Sequence, residues 1–141
     1  FCFLLILNNF YNLIKFHPYQ NVYFNSLFAK NANKKFEIDY WGLSNREALY
    51  KLVENNEETV SVCNSSFTNL EMSRKMIKLS ESEKIFLKEQ NYNDCNFIIS
   101  NEYYVSDPKL SLRYQVPENF KIFDSINRGD IILSKTFKKV Q

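Results

Sequence analysis

The chain has 141 residues, 45% of them hydrophobic and 16% aromatic, with a formal net charge of +2. That length supports one domain with a real core and hardly two, and the apolar content excludes a disordered chain. Lysines cluster only at Lys34–Lys35 and Lys135–Lys138–Lys139, and no stripe of basic and aromatic residues joins them, so nucleic acid is not an expected partner.

The chain opens on "FCFLLIL", Phe1 to Leu7, at full hydrophobicity. This run is too short to cross a bilayer alone, which takes ~20 apolar residues, and it lacks the basic region and cleavage site of a signal peptide. The expectation is that residues 1–16 form the end of a transmembrane helix and residues 17–141 an extracytoplasmic α/β domain. Asn8, Asn12 and Lys15 then share one helical face where the helix leaves the hydrocarbon. Tyr11, Phe16, Tyr19 and Tyr23 follow at the level where Tyr is enriched. An amphipathic helix packed on a soluble core is the competing reading, and hydropathy does not separate the two.

His17-Pro18 stops the helix, because a residue before Pro disfavours the α region. "NVYFN", 21–25, has the content of a short strand or extended crossing, and "KNANKK" is a polar loop. From Phe36 to Trp41 the pattern alternates, with Phe36, Ile38 and Tyr40 on one strand face and Glu37, Asp39 and Trp41 on the other. Gly42 ends that strand. Ser44 to Glu47 fits a capping box for a helix with Ala48, Leu49, Leu52 and Val53 as its apolar stripe, fading at Asn55-Asn56.

"TVSVC", 59–63, predicts a second strand, and Asn64-Ser65-Ser66 a cap for a helix with Met72, Met76 and Leu79 along one side. "SESEKIFLKEQ", 80–90, predicts a further short helical piece. "CNFIIS", 95–100, is a continuous apolar run that marks a buried strand, and 101–119 reads as a long irregular connection. Two strands, Phe120–Ile126 and Ile131–Phe137, flank Asn127-Arg128-Gly129-Asp130, where Gly permits the positive φ of a hairpin. The fold class is therefore α/β, a mixed sheet with flanking helices and a C-terminal β-hairpin, preceded by the end of a transmembrane helix.

Few residues carry chemistry. There is no Gly-rich phosphate loop and no nucleophile or zinc signature, and the two glycines, Gly42 and Gly129, give the backbone little room to approach a phosphate. One His and three Cys without C-x-x-C spacing assemble neither a zinc site nor a disulfide framework. A single Cys63–Cys95 bridge can form if their strands adjoin. The Arg-Gly-Asp triplet at 128–130 is accounted for by the turn. Glu37 and Asp39 put two carboxylates on one strand face, a pairing used in sugar chemistry, although charges on a solvated face explain them more simply. Trp41 beside them suits anchoring at a wet–apolar border better than stacking on a sugar ring.

"HPYQNVYFN", His17 to Asn25, followed by "FEIDYWGLSNREALYKL", Phe36 to Leu52, resembles the segment after the last transmembrane helix in bacterial membrane glycosyltransferases of the dolichyl-phosphate-mannose–protein mannosyltransferase-like superfamily. Those sequences read H-P-Y-x-Y-V-Y-F-N, then F-x-x-D-Y-W-G-x-S-Y-R-E-A. Asn21 stands where Tyr is common, and Asn45 replaces an aromatic. The strand "CNFIISNEYY" and the terminal hairpin extend the likeness, but only the first third is specific.

The resemblance implies the C-terminal domain of a multi-spanning enzyme in the bacterial inner membrane. Such an enzyme moves a sugar from a polyprenyl-phosphate donor to an acceptor on the periplasmic side. It places the catalytic acid, and any divalent metal, in an early loop between membrane helices. No catalytic residue, metal ligand or cofactor is therefore assigned to this chain, which alone is expected to show no turnover. Its partners would be the membrane, the transmembrane body of the same enzyme and the lipid-linked sugar donor. His17, Tyr19, Tyr23, Asn25, Asp39, Tyr40 and Trp41 match the motif and are candidates for docking on the membrane body or shaping the acceptor entrance. The alternative is a stand-alone membrane-anchored binding module that contacts glycan or protein through the Trp41/Asp39 face.

Overall fold

The computed structural model describes residues 2–20, 39, 41–88, 91–101 and 114–140. Within them, Val60, Val62, Phe97 and Ile99 belong to one buried cluster, while Cys63 and Ile98 belong to another. This is the two-sided burial that period-2 geometry gives a central sheet. The strands are β1 (Val60–Asn64), β2 (Ile85–Lys88), β3 (Phe97–Ser100), β4 (Phe120–Arg128) and β5 (Ile131–Lys139). They form a mixed sheet in the order β2-β1-β3-β5-β4. β1 pairs in parallel with both β2 and β3, so that Val62 lies opposite Leu87 on one side and Phe97 on the other. β5 then pairs antiparallel with β3 and β4.

Helix α1 (Cys2–Lys15) precedes α2 (Leu43–Glu54), and α3 (Leu70–Lys75) and α4 (Leu79–Ser82) link β1 to β2. The expected stripe of α2 is confirmed: Ala48, Leu49, Leu52 and Val53 are buried against Val62, Ile99 and Leu133. Its C-terminus falls at Asn55, also as expected. β3 is buried at every position, which is why its sequence shows an unbroken apolar run. The C-terminal hairpin forms as predicted, with Gly129 at φ 59 in its turn.

A Cys63–Cys95 disulfide, Cα atoms 5.8 Å apart, closes over 32 residues that contain β2. It ties the segment that crosses back from β2 to β3 onto β1. By loop-closure entropy such a cross-link stabilises the fold by about 3–4 kcal/mol.

Four local expectations change. Ile85–Lys88 is a strand rather than helical, because Ile85 inserts into the core while Phe86 faces solvent, and pairing with β1 outweighs helix propensity. The cap of α3 is Asn69, not the Asn64-Ser65-Ser66 run; its Oδ1 accepts from the N–H groups of Glu71 (2.9 Å) and Met72 (3.4 Å). Met72, Met76 and Leu79 are exposed, and Leu70 and Ser73 are the buried residues of α3. The strand expected up to Trp41 does not reach Asp39, which has φ 53, or Trp41, which lies in a turn. Its residues 36–38 and 40, the expected crossing at 21–25 and most of the 101–119 connection fall outside the described residues.

α1 ends before a turn at 16–18 that contains the His17-Pro18 peptide. Its 14 residues bury none of their side chains. Phe3, Ile6, Phe10, Leu13 and Ile14 stand more than half exposed, and their spacing puts them on one apolar face of the helix, away from Asn8, Asn12 and Lys15. Among the described residues no helix is long and apolar enough to cross a membrane.

Candidate functional site

Phe16 and Tyr19 are the first residues of the chain to enter the core, at 7% and 2% exposure. The Tyr19 hydroxyl donates to Glu47 Oε2 at 2.8 Å. Arg128 Nη2 donates to the same oxygen at 2.6 Å, and its guanidinium lies 4.5 Å above the Tyr19 ring. The phenol, the carboxylate and the cation thus form one latch between the exit of α1, helix α2 and the hairpin turn. Burial pushes the Tyr19 phenol far above its ordinary value, and the Glu47 hydrogen bond and charge push it further. Tyr19 is therefore a permanent donor in this latch.

The second part of the junction is built on Asp39, which is fully buried. Its carboxylate accepts from the Leu43 N–H at 2.9 Å, the Ser44 N–H at 3.0 Å and the Ser44 hydroxyl. Burial pushes the Asp39 carboxyl above its ordinary value, against these hydrogen bonds, which favour the ionised form. Two left-handed residues, Asp39 (φ 53) and Gly42 (φ 64), fold the chain back so that the carboxylate reaches the helix. A Cβ at Gly42 would come within 2.8 Å of both Thr68 Cβ and Asn45 Nδ2, so only glycine fits. These requirements give a physical reason for Asp at 39, Gly at 42 and Ser at 44.

The expected capping box is corrected accordingly. Ser44 lies inside the first turn and serves Asp39, while Glu47 turns to Tyr19 and Arg128 instead of reaching back. Asp39 is not a charge on a solvated strand face, and it does not share a face with Trp41, which is 77% exposed. The motif is welded to the sheet as well. Asn45 Nδ2 donates to Thr68 Oγ1 at 2.7 Å. Asn101 Nδ2 approaches Thr68 Oγ1 at 3.2 Å and the Asp39 carbonyl at 3.3 Å.

Of the seven residues singled out from the sequence, Tyr19 and Asp39 are brought together through Leu43. Tyr19 Oη is 3.5 Å from its carbonyl, and Asp39 Oδ1 takes its N–H. Trp41 stands two residues away on the surface. His17 is exposed, with Nδ1 2.9 Å from Gln20 Nε2. Tyr23, Asn25 and Tyr40 lie outside the described residues. Sequence reasoning missed Thr68, Asn101 and the roles of Glu47 and Arg128. The signals available were a Glu at capping-box spacing and an Arg in a hairpin turn, both already explained locally.

Chemically the junction is a joint. The Asp39 carboxylate is fully engaged by three donors, and two further donors converge on one Glu47 oxygen, so neither group stands ready as a base. Among the described residues no cluster of His, Cys, Asp or Glu is arranged to hold a metal.

Away from this junction lies a cleft of about 730 Å³ at the carboxyl ends of β1 and β2. In open α/β sheets this edge, near the point where strand order reverses, is where ligands bind, and the volume suits a small molecule. Val62, Leu70 and Leu87 line it together with Asn69, Lys88 and Tyr92. No protein family, curated protein or solved structure matches this chain.

Proposed function

We propose that the chain is the non-catalytic, C-terminal domain of a multi-spanning bacterial glycosyltransferase, held by α1 against the membrane on its extracytoplasmic side. The observation that carries the membrane part is α1. A broad apolar helix face is stable only when covered by protein or lipid, and here the described domain buries none of it. The latch at Tyr19 fixes where that helix leaves, and Trp41 stands exposed two residues from Asp39, where an amphipathic ring suits the headgroup layer. The Cys63–Cys95 disulfide supports an oxidising compartment such as the periplasm. The transfer of a sugar from a polyprenyl-phosphate donor rests on the motif resemblance. In this reading the junction aligns the domain with a transmembrane body that holds the catalytic residues and any metal.

Vesicle binding tests the membrane part. Cys2 is the free, exposed thiol on α1, so it accepts an environment-sensitive dye without touching the disulfide. Mixed with phosphatidylcholine vesicles, the full chain should show dye emission of a hydrocarbon environment and a blue shift of Trp41, the only Trp. A chain that stays in the supernatant with both probes unchanged would remove the membrane seat. Sugar transfer by the isolated chain would refute its non-catalytic role.

A further inference from the structure

We infer that the cleft at the carboxyl ends of β1 and β2 binds a small oxyanion-bearing molecule, a phosphate ester or a carboxylate. The inference comes from which hydrogen-bonding groups of the cleft are occupied. Asn64 is used at both ends, its Nδ2 on the Thr68 carbonyl and its Oδ1 by the Ser66 hydroxyl at 2.7 Å. Glu71 is held bidentately by Arg74, at 3.0 and 2.8 Å, which neutralises its charge. Asn69 Oδ1 is taken by two backbone N–H groups.

What remains is a set of donors. Lys88 lines the cleft, and its side-chain ammonium makes no hydrogen bond or ion pair among the described residues. The Tyr92 hydroxyl and Asn69 Nδ2 are likewise without hydrogen bonds among them. An ammonium and a primary amide nitrogen can only donate, and the phenol can donate as well. Among the described residues, the carboxylate and amide acceptors of this wall are engaged and one positive charge is left uncompensated, so the complementary ligand is rich in acceptors and negatively charged. Val62, Leu70 and Leu87 set an apolar floor, so the anion is carried on a small organic body. The cleft shares no lining residue with α1.

The experiment is an NMR titration of the full chain in uncharged octyl tetraethylene glycol ether micelles. The probes are glycerol 1-phosphate, glycerate and glycerol, which differ only in the group presented to the donors. The expected result is that at least one anion moves the amide resonances of Asn69, Lys88 and Tyr92, with affinity about tenfold or more above glycerol. Whichever anion binds tighter identifies the source as phosphate or carboxylate. Lys88→Gln, at an exposed position, should lower that affinity about tenfold. Tyr92→Phe, which keeps the packed ring, should lower it roughly threefold. Equal affinity for glycerol and both anions, unmoved resonances, or a Lys88→Gln chain that binds as well as the parent would overturn the assignment.

Discussion

Replacing Asp39 by Ala separates a structural joint from a surface charge. The substitution strips the acceptor from the Leu43 and Ser44 N–H groups and from the Ser44 hydroxyl, and both Asp39 and Ser44 are fully buried. Loss of a helix cap costs about 1 kcal/mol. A buried hydroxyl or N–H left without a partner costs about 1–3 kcal/mol. Alanine at a left-handed φ adds about 1 kcal/mol, while removal of a desolvated carboxylate returns part of the total. The net expectation is destabilisation of about 3 kcal/mol, which for a chain of this size lowers Tm by roughly 10 °C. Asp39→Asn keeps an acceptor and tolerates the left-handed backbone, so it should cost only about 1 kcal/mol. Urea unfolding in neutral micelles, followed by far-UV circular dichroism, measures both. An Asp39→Ala midpoint within about 0.5 kcal/mol of the parent, the scatter of ordinary surface changes, would refute the capping account.

Further outcomes follow from the same geometry. Because burial raises the Asp39 pKa above its ordinary value of 3.8, the native state binds that proton more tightly than the unfolded chain. The stability advantage of the parent over Asp39→Asn should therefore be full below the ordinary carboxylate range and decline as pH rises through the raised pKa; unfolding series for both chains from pH 3 to 8 check it. Leu49→Ala, at a fully buried position under the sheet, should cost about 2–5 kcal/mol in the same urea assay. Reduction of Cys63–Cys95 should lower stability by about 3 kcal/mol, measured by unfolding with and without dithiothreitol. Trp41→Ala should leave stability within about 0.5 kcal/mol yet weaken vesicle binding in co-sedimentation.

The parts of the fold legible in the sequence were those where one physical signal acted alone. The run "NFIIS" marked β3 because both faces of that strand are buried, and Gly129 marked the hairpin because a positive φ was needed there. Lys88 and Ile85 show the opposite case: "IFLK" follows a charged helical pattern, and only the neighbouring β1, 25 residues earlier at Val60↔Ile85, makes it a strand. The motif at 36–47 was recognisable as a motif, but its mechanics were not. Nothing local says that Asp39 turns back through a left-handed backbone to cap α2, or that Glu47 meets Tyr19 and Arg128 from 28 and 81 residues away. The free donors of the cleft were invisible for the same reason, since Asn69 precedes β2, Lys88 ends it and Tyr92 follows it, and only the pairing of β2 with β1 brings them to one edge.

Whether this domain belongs to a membrane-spanning transferase is tested most directly by the genomic reading frame upstream of Phe1. The account predicts an open frame that encodes several apolar spans of ~20 residues each, with an acidic residue in the first extracytoplasmic loop. A start codon within a few residues of Phe1 would contradict it and leave a stand-alone anchored module.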